Sequence, residues 1–180
     1  MRKLTISVLA LAACVAAAPS FAQEKLKLAV GQRGNWDTAI PELGLQKGIF
    51  QKHGLELEVL YTQGSGETIQ AVISGSVDLG LAAGLTGVMG AFEKGAPVRP
   101  VSNSMTGADD LYWYVPADSP IKSIKDAAGK TISYSTRGSS THVAVLGFVN
   151  YFKVDMKPTA VGGPSASFAQ TMSKQVDIGW

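Results

Sequence analysis

Apolar and polar positions along the chain change period several times. Over 26–30, Leu26-Lys27-Leu28-Ala29-Val30 alternates and stops at Gly31, which predicts a first strand. Over 41–53 the apolar positions are Leu43, Leu45 and Phe50, and Gly54 closes a predicted helix. Leu55, Leu57 and Val59 then alternate with Glu56 and Glu58, a second strand over 55–61. The same reading gives a helix over 67–74, a strand over 77–82, a helix over 86–94 closed by Gly95, and a strand over 98–102. Strands alternating with helices at this spacing predict a parallel α/β architecture.

The aromatic run Leu111-Tyr112-Trp113-Tyr114 predicts a strand over 110–115 that leaves the first unit. Pro116 and Pro120 bracket a turn, a short helix covers 123–128 up to Gly129, and a strand over 130–134 is followed by a long helix over 139–152. One phrase occurs twice: Ser74-Gly75-Ser76-Val77-Asp78-Leu79-Gly80-Leu81 and Ser173-Lys174-Gln175-Val176-Asp177-Ile178-Gly179-Trp180. Each copy follows a helix-like run, 67–73 or 166–172, that begins after a glycine-rich loop. Asp78 and Asp177 read as turn residues. The pattern predicts two similar α/β lobes facing each other across a cleft: 23–115, nearly complete, and 116–180, partial. The second copy ends at Trp180, so the apolar faces of the 139–152 helix and of the terminal strand are expected to be partly uncovered.

The first 22 residues change what counts as the folded chain. Arg2 and Lys3, the apolar stretch 4–18 and Ser20-Phe21-Ala22 have the layout of a cleavable export signal, with Gln23 as the mature N-terminus. Leu11-Ala12-Ala13-Cys14 resembles a lipobox, but the apolar run continues past Cys14 and a peptidase site follows, so the soluble form is preferred to a lipoprotein. Loss of Arg2 and Lys3 takes the formal charge from +2 to zero. A neutral chain without a basic patch argues against nucleic-acid and polybasic membrane contact. With Cys14 removed, no cysteine remains for a disulfide, metal site or nucleophile.

The catalytic and metal signatures are weak. His142 follows Ser139 by three residues without an evident acidic partner, and His53 sits at a helix end. Two separate histidines make no metal constellation. The glycine patterns Gly64-x-Gly66 and Gly84-x-x-Gly87-x-x-Gly90 are not the dinucleotide fingerprint, and no P-loop occurs. No catalytic residue, metal or cofactor is expected. A secreted α/β enzyme is the alternative class, and a truncated product without binding activity is a third.

Several stretches resemble the substrate-binding proteins of bacterial ABC importers, in the group handling sulfonates, taurine, nitrate and thiamine-pyrimidine precursors. They are Gly44-Leu45-Gln46-Lys47-Gly48-Ile49-Phe50 with Lys52-His53-Gly54-Leu55, Ser74-Gly75-Ser76-Val77-Asp78, Gly95-Ala96-Pro97-Val98, Asp118-Ser119-Pro120-Ile121, Gly129-Lys130-Thr131-Ile132 and Gly138-Ser139-Ser140-Thr141, in order along the chain. The resemblance implies a two-lobed, type II-like periplasmic binding protein, a monomer that delivers a small molecule to an inner-membrane permease. Family members are usually much longer, so the rest of the second lobe and the closing segments of the first are expected to be missing.

Ligands of open α/β sheets sit beyond the carboxyl ends of strands. That rule selects Gly34, Asn35 and Trp36 after the first strand, Ser65 and Gly66 after the second, and Gly84 and Thr86 after the third. In the second lobe it selects Gly138, Ser139, Ser140 and Thr141, with Ser165 in the last loop. Glycines admit close approach, and helix N-termini with hydroxyls hold an anion without a neutralising charge. Helix capping alone also explains Ser65, Ser139 and Ser165, and Trp36 suits either a cleft wall or the core. Arg33 and Arg137 could pair with an acidic ligand or stay solvated.

Overall fold

Strand β1 (Glu24–Gly31) runs between β2 (Leu55–Thr62) and β3 (Leu79–Leu81), parallel to both. This computed structural model describes residues 23–105, 107 and 109–180, so the expected export signal over 1–22, with Cys14 and the expected cleavage site, lies outside the described residues. Leu28, Ala29 and Val30 are buried, as a central strand covered on both faces requires. The register Leu28↔Val59 and Leu28↔Leu79 places the apolar positions side by side, while Glu56 and Glu58 on the edge strand stay exposed.

Helices join these strands: α1 (Ala39–Gln46), α2 (Ile49–Lys52), α3 (Ser65–Ile73) and α4 (Leu85–Glu93). The single helix expected over 41–53 is two, because Gly48 takes a left-handed φ of 64° that ends α1 and starts α2. Phe50 then folds back over Gly44, where a β-carbon would collide with its ring.

The strand expected over 98–102 does not form. Pro97 and Pro100 remove backbone donors from that segment, and it stands off from β3 across an apolar cavity of about 450 Å³ between Leu79, Leu81, Val98 and Val101.

The second unit repeats the plan with β4 (Thr131–Tyr134), α5 (Ser140–Phe152), β5 (Lys157–Ala160) and α6 (Pro164–Met172). β5 pairs in parallel on one side of β4, and Ile178 bridges to Ile132 in parallel on the other, so β4 takes the place of β1. β5 was not legible in the sequence, since Pro158 weakens a strand signal; as the outer neighbour of β4 it tolerates that proline. The 123–128 helix is a single 3₁₀ turn, Ile124–Ala127.

Only Tyr114 of the aromatic run bridges, antiparallel to Gly179, and Trp113 Nε1 donates to the Ser133 carbonyl at 2.9 Å. This segment therefore packs on the second unit, whose core of Ile121, Ile132, Tyr134, Val145, Met156 and Ile178 takes in Trp113 and Val115. The expected exposure of the long helix is seen at Val143, Leu146, Tyr151 and Phe152. The terminal segment departs from expectation: Val176 and Ile178 are buried, because this segment lies between β4 and Tyr114.

The repeated aspartates have a shared task. Asp78 Oδ2 accepts from the Lys27 amide at 2.8 Å, and the Asp78 amide donates to the Lys27 carbonyl. Asp177 Oδ2 accepts from both the amide and the hydroxyl of Thr131 at 2.8 Å, and its own amide donates back to that hydroxyl. Each aspartate pins the end of its turn to the central strand of its unit.

Candidate functional site

The carboxyl ends of β1, β2, β3 and β4 open towards a cleft of about 470 Å³ between the two units. Gly34, Asn35, Trp36 and Ser65 line it from the first unit, and Ser139, Ser140 and Thr141 from the second. Of the other candidates, Thr86 and Ser165 are exposed and outside the lining, and Gly66, Gly84 and Gly138 lie where the units touch.

The hydroxyls differ in how far they are already committed. Ser139 caps α5, its Oγ accepting from the His142 amide at 3.1 Å and lying 2.9 Å from Thr141 Oγ1. Thr141 Oγ1 in turn accepts from the Ser135 amide at 3.0 Å. Both residues are buried in this small network. Ser65 Oγ accepts from the Gly84 amide at 2.9 Å, which ties the start of α3 to the start of α4. Ser140 differs: it is exposed, at the first turn of α5, and its hydroxyl makes no hydrogen bond among the described residues. It is the hydroxyl of this group with its full capacity left for a ligand.

Where the units meet, the contacts are largely backbone. The Gly66 amide donates to Thr136 Oγ1 at 3.2 Å, and a β-carbon on Gly84 would come within 3.0 Å of the Ser140 amide nitrogen. Gln32, with a left-handed φ of 69°, donates through Nε2 to the carbonyls of Gln63 and Gly162 and accepts from Asn35 through Oε1. It joins the two units and holds the Asn35 loop, a role that its place after β1 hinted at but its residue type did not.

Sequence reasoning passed over much of the wall. Asp37, Ala82, Asp110, Leu111, Tyr112, Ser135 and Trp180 also line the cleft. Burial pushes the Asp37 carboxyl above its ordinary range and the Asp110 charge adds to this, against hydrogen bonds from the Asp37 and Thr38 amides. Trp36 is 85% exposed, so it forms an open flank and not core.

The arginines are placed away from this space. Arg33 pairs with Glu42 at 3.3 Å and stacks 4.7 Å over Tyr61 in a separate depression, and Arg137 is exposed outside the lining. His142 supports the loop: Nδ1 accepts from the Gly138 amide at 3.1 Å and the ring stacks on Tyr134 at 4.4 Å. Burial, then the Arg137 charge, push its pKa below the ordinary histidine range. Among the described residues, no three histidine, cysteine or carboxylate side chains come together as a metal site.

Known proteins share this fold. A protein of Bordetella bronchiseptica RB50 superposes with a TM-score of 0.64 at 21% identity, over 86% of this chain and 49% of its own. The alkanesulfonate-binding protein SsuA of Xanthomonas axonopodis pv. citri, bound to MOPS, gives 0.64 at 20% identity, over 86% and 53%. The periplasmic aliphatic sulphonate binding protein SsuA of Escherichia coli gives 0.54 at 20%, over 86% and 53%. These likenesses show the fold, and the chain spans about half the length of these structures. No curated protein matches the sequence. The NMT1/THI5-like family model matches residues 40–180, from within α1 to the end of the second unit and over both copies of the repeated phrase; the chain belongs to the NMT1/THI5-like family.

Proposed function

We propose that this protein is the solute-binding component of an ABC import system, capturing a small oxyanion-bearing molecule in the periplasm and presenting it to a permease. No bond is broken; affinity comes from the two units closing on the solute, and the closed form is what the permease recognises. The observation that carries the reading is the cleft itself: Ser139, Ser140 and Thr141 at the start of α5 face Asn35, Trp36 and Ser65 of the other unit. A helix start with the Ser140 hydroxyl left unused suits a sulfonate or similar anion. The solved structures of similar fold include proteins described as binding alkanesulfonates.

Calorimetry against taurine, alkanesulfonates, nitrate and a hydroxymethylpyrimidine tests this. Ser140→Ala is expected to weaken anion binding by about 1.5–3 kcal/mol, the worth of one hydrogen bond to a charged group. Binding of the pyrimidine alone, lost in Trp36→Ala and untouched in Ser140→Ala, would favour stacking on the Trp36 flank over anion capture.

A further inference from the structure

Granting the closing motion proposed above, we infer that Thr136 is its latch: the threonine hydroxyl, carried by the second unit, caps helix α3 of the first and holds the units in contact. α5 is capped from within its own unit, by Ser139. α3 begins after Gly64, which has no side chain to do the same, so its first turn has no side-chain cap of its own. The Gly66 amide donates instead to Thr136 Oγ1 at 3.2 Å, across 70 residues of sequence.

The seat is shaped for that residue. A β-carbon on Gly64 would lie 2.7 Å from Thr136 Oγ1 and 2.9 Å from its Cγ2, so glycine there leaves room for the threonine. Among the described residues two hydrogen bonds join the units, this one and that from Gln32 Nε2 to the Gly162 carbonyl, which at 3.5 Å is at the outer limit. No ion pair spans the seam among those residues. When the units part, water takes both partners, so the bond is modest and closure stays reversible. Thr136 and Gly66 stand outside the cleft lining, so the latch acts on the touching arrangement and not on the solute's own contacts.

A disulfide tests whether the two residues meet. A β-carbon placed on Gly66 would be 3.7 Å from that of Thr136, the span of a disulfide, and residues 23–180 contain no cysteine. The double variant Gly66→Cys/Thr136→Cys is expected to form an intramolecular disulfide under mild oxidation without solute; failure to form it overturns the latch. Thr136→Val keeps the branched shape but not the acceptor. It is expected to lower the ratio of touching to separated units about two- to thirtyfold, with Thr136→Ser close to the wild type. Energy transfer between fluorophores attached through Lys52→Cys and Asn150→Cys, exposed positions in the two units, reads that ratio. A threonine that only stabilised its own loop would lower the unfolding midpoint in Thr136→Val and leave the transfer unchanged, which also overturns the latch. A solute held by both units binds the touching arrangement, so taurine or an alkanesulfonate should lose affinity in Thr136→Val by the same factor. Equal binding in wild type and Thr136→Val, with unchanged transfer, overturns the latch and leaves solute capture standing. A disulfide and a loss of transfer, with neither solute bound, keep the latch and count against solute capture.

Discussion

Gly87→Ala is expected to destabilise the protein by about 1–3 kcal/mol and to weaken the solute binding proposed above, since it overpacks the place where the two units meet. Gly87 lies in α4, where alanine is favoured over glycine by up to about 1 kcal/mol, so the substitution suits the helix itself. The obstacle is across the gap. A β-carbon at Gly87 would sit 2.7 Å from the Gly138 carbonyl oxygen, which is backbone and cannot swing away, and 3.0 Å from Ile69 Cδ1. Overpacking of this kind costs about 1–3 kcal/mol, and here it falls both inside the first unit, at Ile69, and on the contact between the units, at Gly138. Gly90→Ala is the control: it is in the same helix, and its β-carbon would meet nothing within 4 Å. Titration calorimetry and thermal unfolding of both variants give the answer. Equal affinity losses in the two, or none in either, would remove the contact at Gly87 from any account of closure.

Asp177→Ala is expected to destabilise the protein by about 1–3 kcal/mol, read from urea unfolding. The substitution strands the Thr131 amide and takes the acceptor from the Thr131 hydroxyl proton, leaving the strand-to-turn junction of the second unit held by the residue-177 amide on Thr131 Oγ1 and the backbone bond from Ile178 to Thr131. The same residue gives stability an acid dependence. Burial works to raise the Asp177 pKa, but the hydrogen bonds from Thr131 and then the Lys130 charge outweigh it, and the net shift is downward. A carboxyl whose pKa is lower folded than unfolded stabilises fully above its unfolded value and loses that contribution as pH falls through the folded value. Wild type and Asp177→Ala should therefore differ most at neutral pH and converge below about pH 4. A gap that persists unchanged into acid would mean that the carboxylate charge has no part in the pin.

The sequence made the repeat legible because the pin needs a particular residue: an aspartate directly after a buried valine and two residues before a glycine. That constraint is local, so it shows in both copies. The strand at Lys157–Ala160 was hidden because its proline is tolerated only by virtue of its place outside β4, which is a property of the sheet. The strand expected over 98–102 failed for the converse reason. Its valines suit a strand, but Pro100 removes a donor and no neighbour pairs with it in the described residues.

The candidate site divides in the same way. Helix starts announce themselves by glycine and serine, so Ser65, Ser139, Ser140 and Thr141 were found. Asp37, Asp110, Tyr112 and Trp180 share the cleft only because chain segments distant in sequence converge there, and no spacing rule reports that.

The touching surfaces of the two units have a further use. Contact there is made by main-chain atoms of Gly66, Gly84, Gly87 and Gly138 together with the Thr136 and Gln32 side chains, whereas the cleft beside it is furnished mainly with other side chains. Cleft side chains other than Gln32 and Ser140 can be exchanged without altering the surfaces that come together. On the solute capture proposed above, retargeting to new analytes falls to positions such as Trp36, Asp37 and Tyr112, and a pair of fluorophores spanning the seam would read the proposed closing of the units.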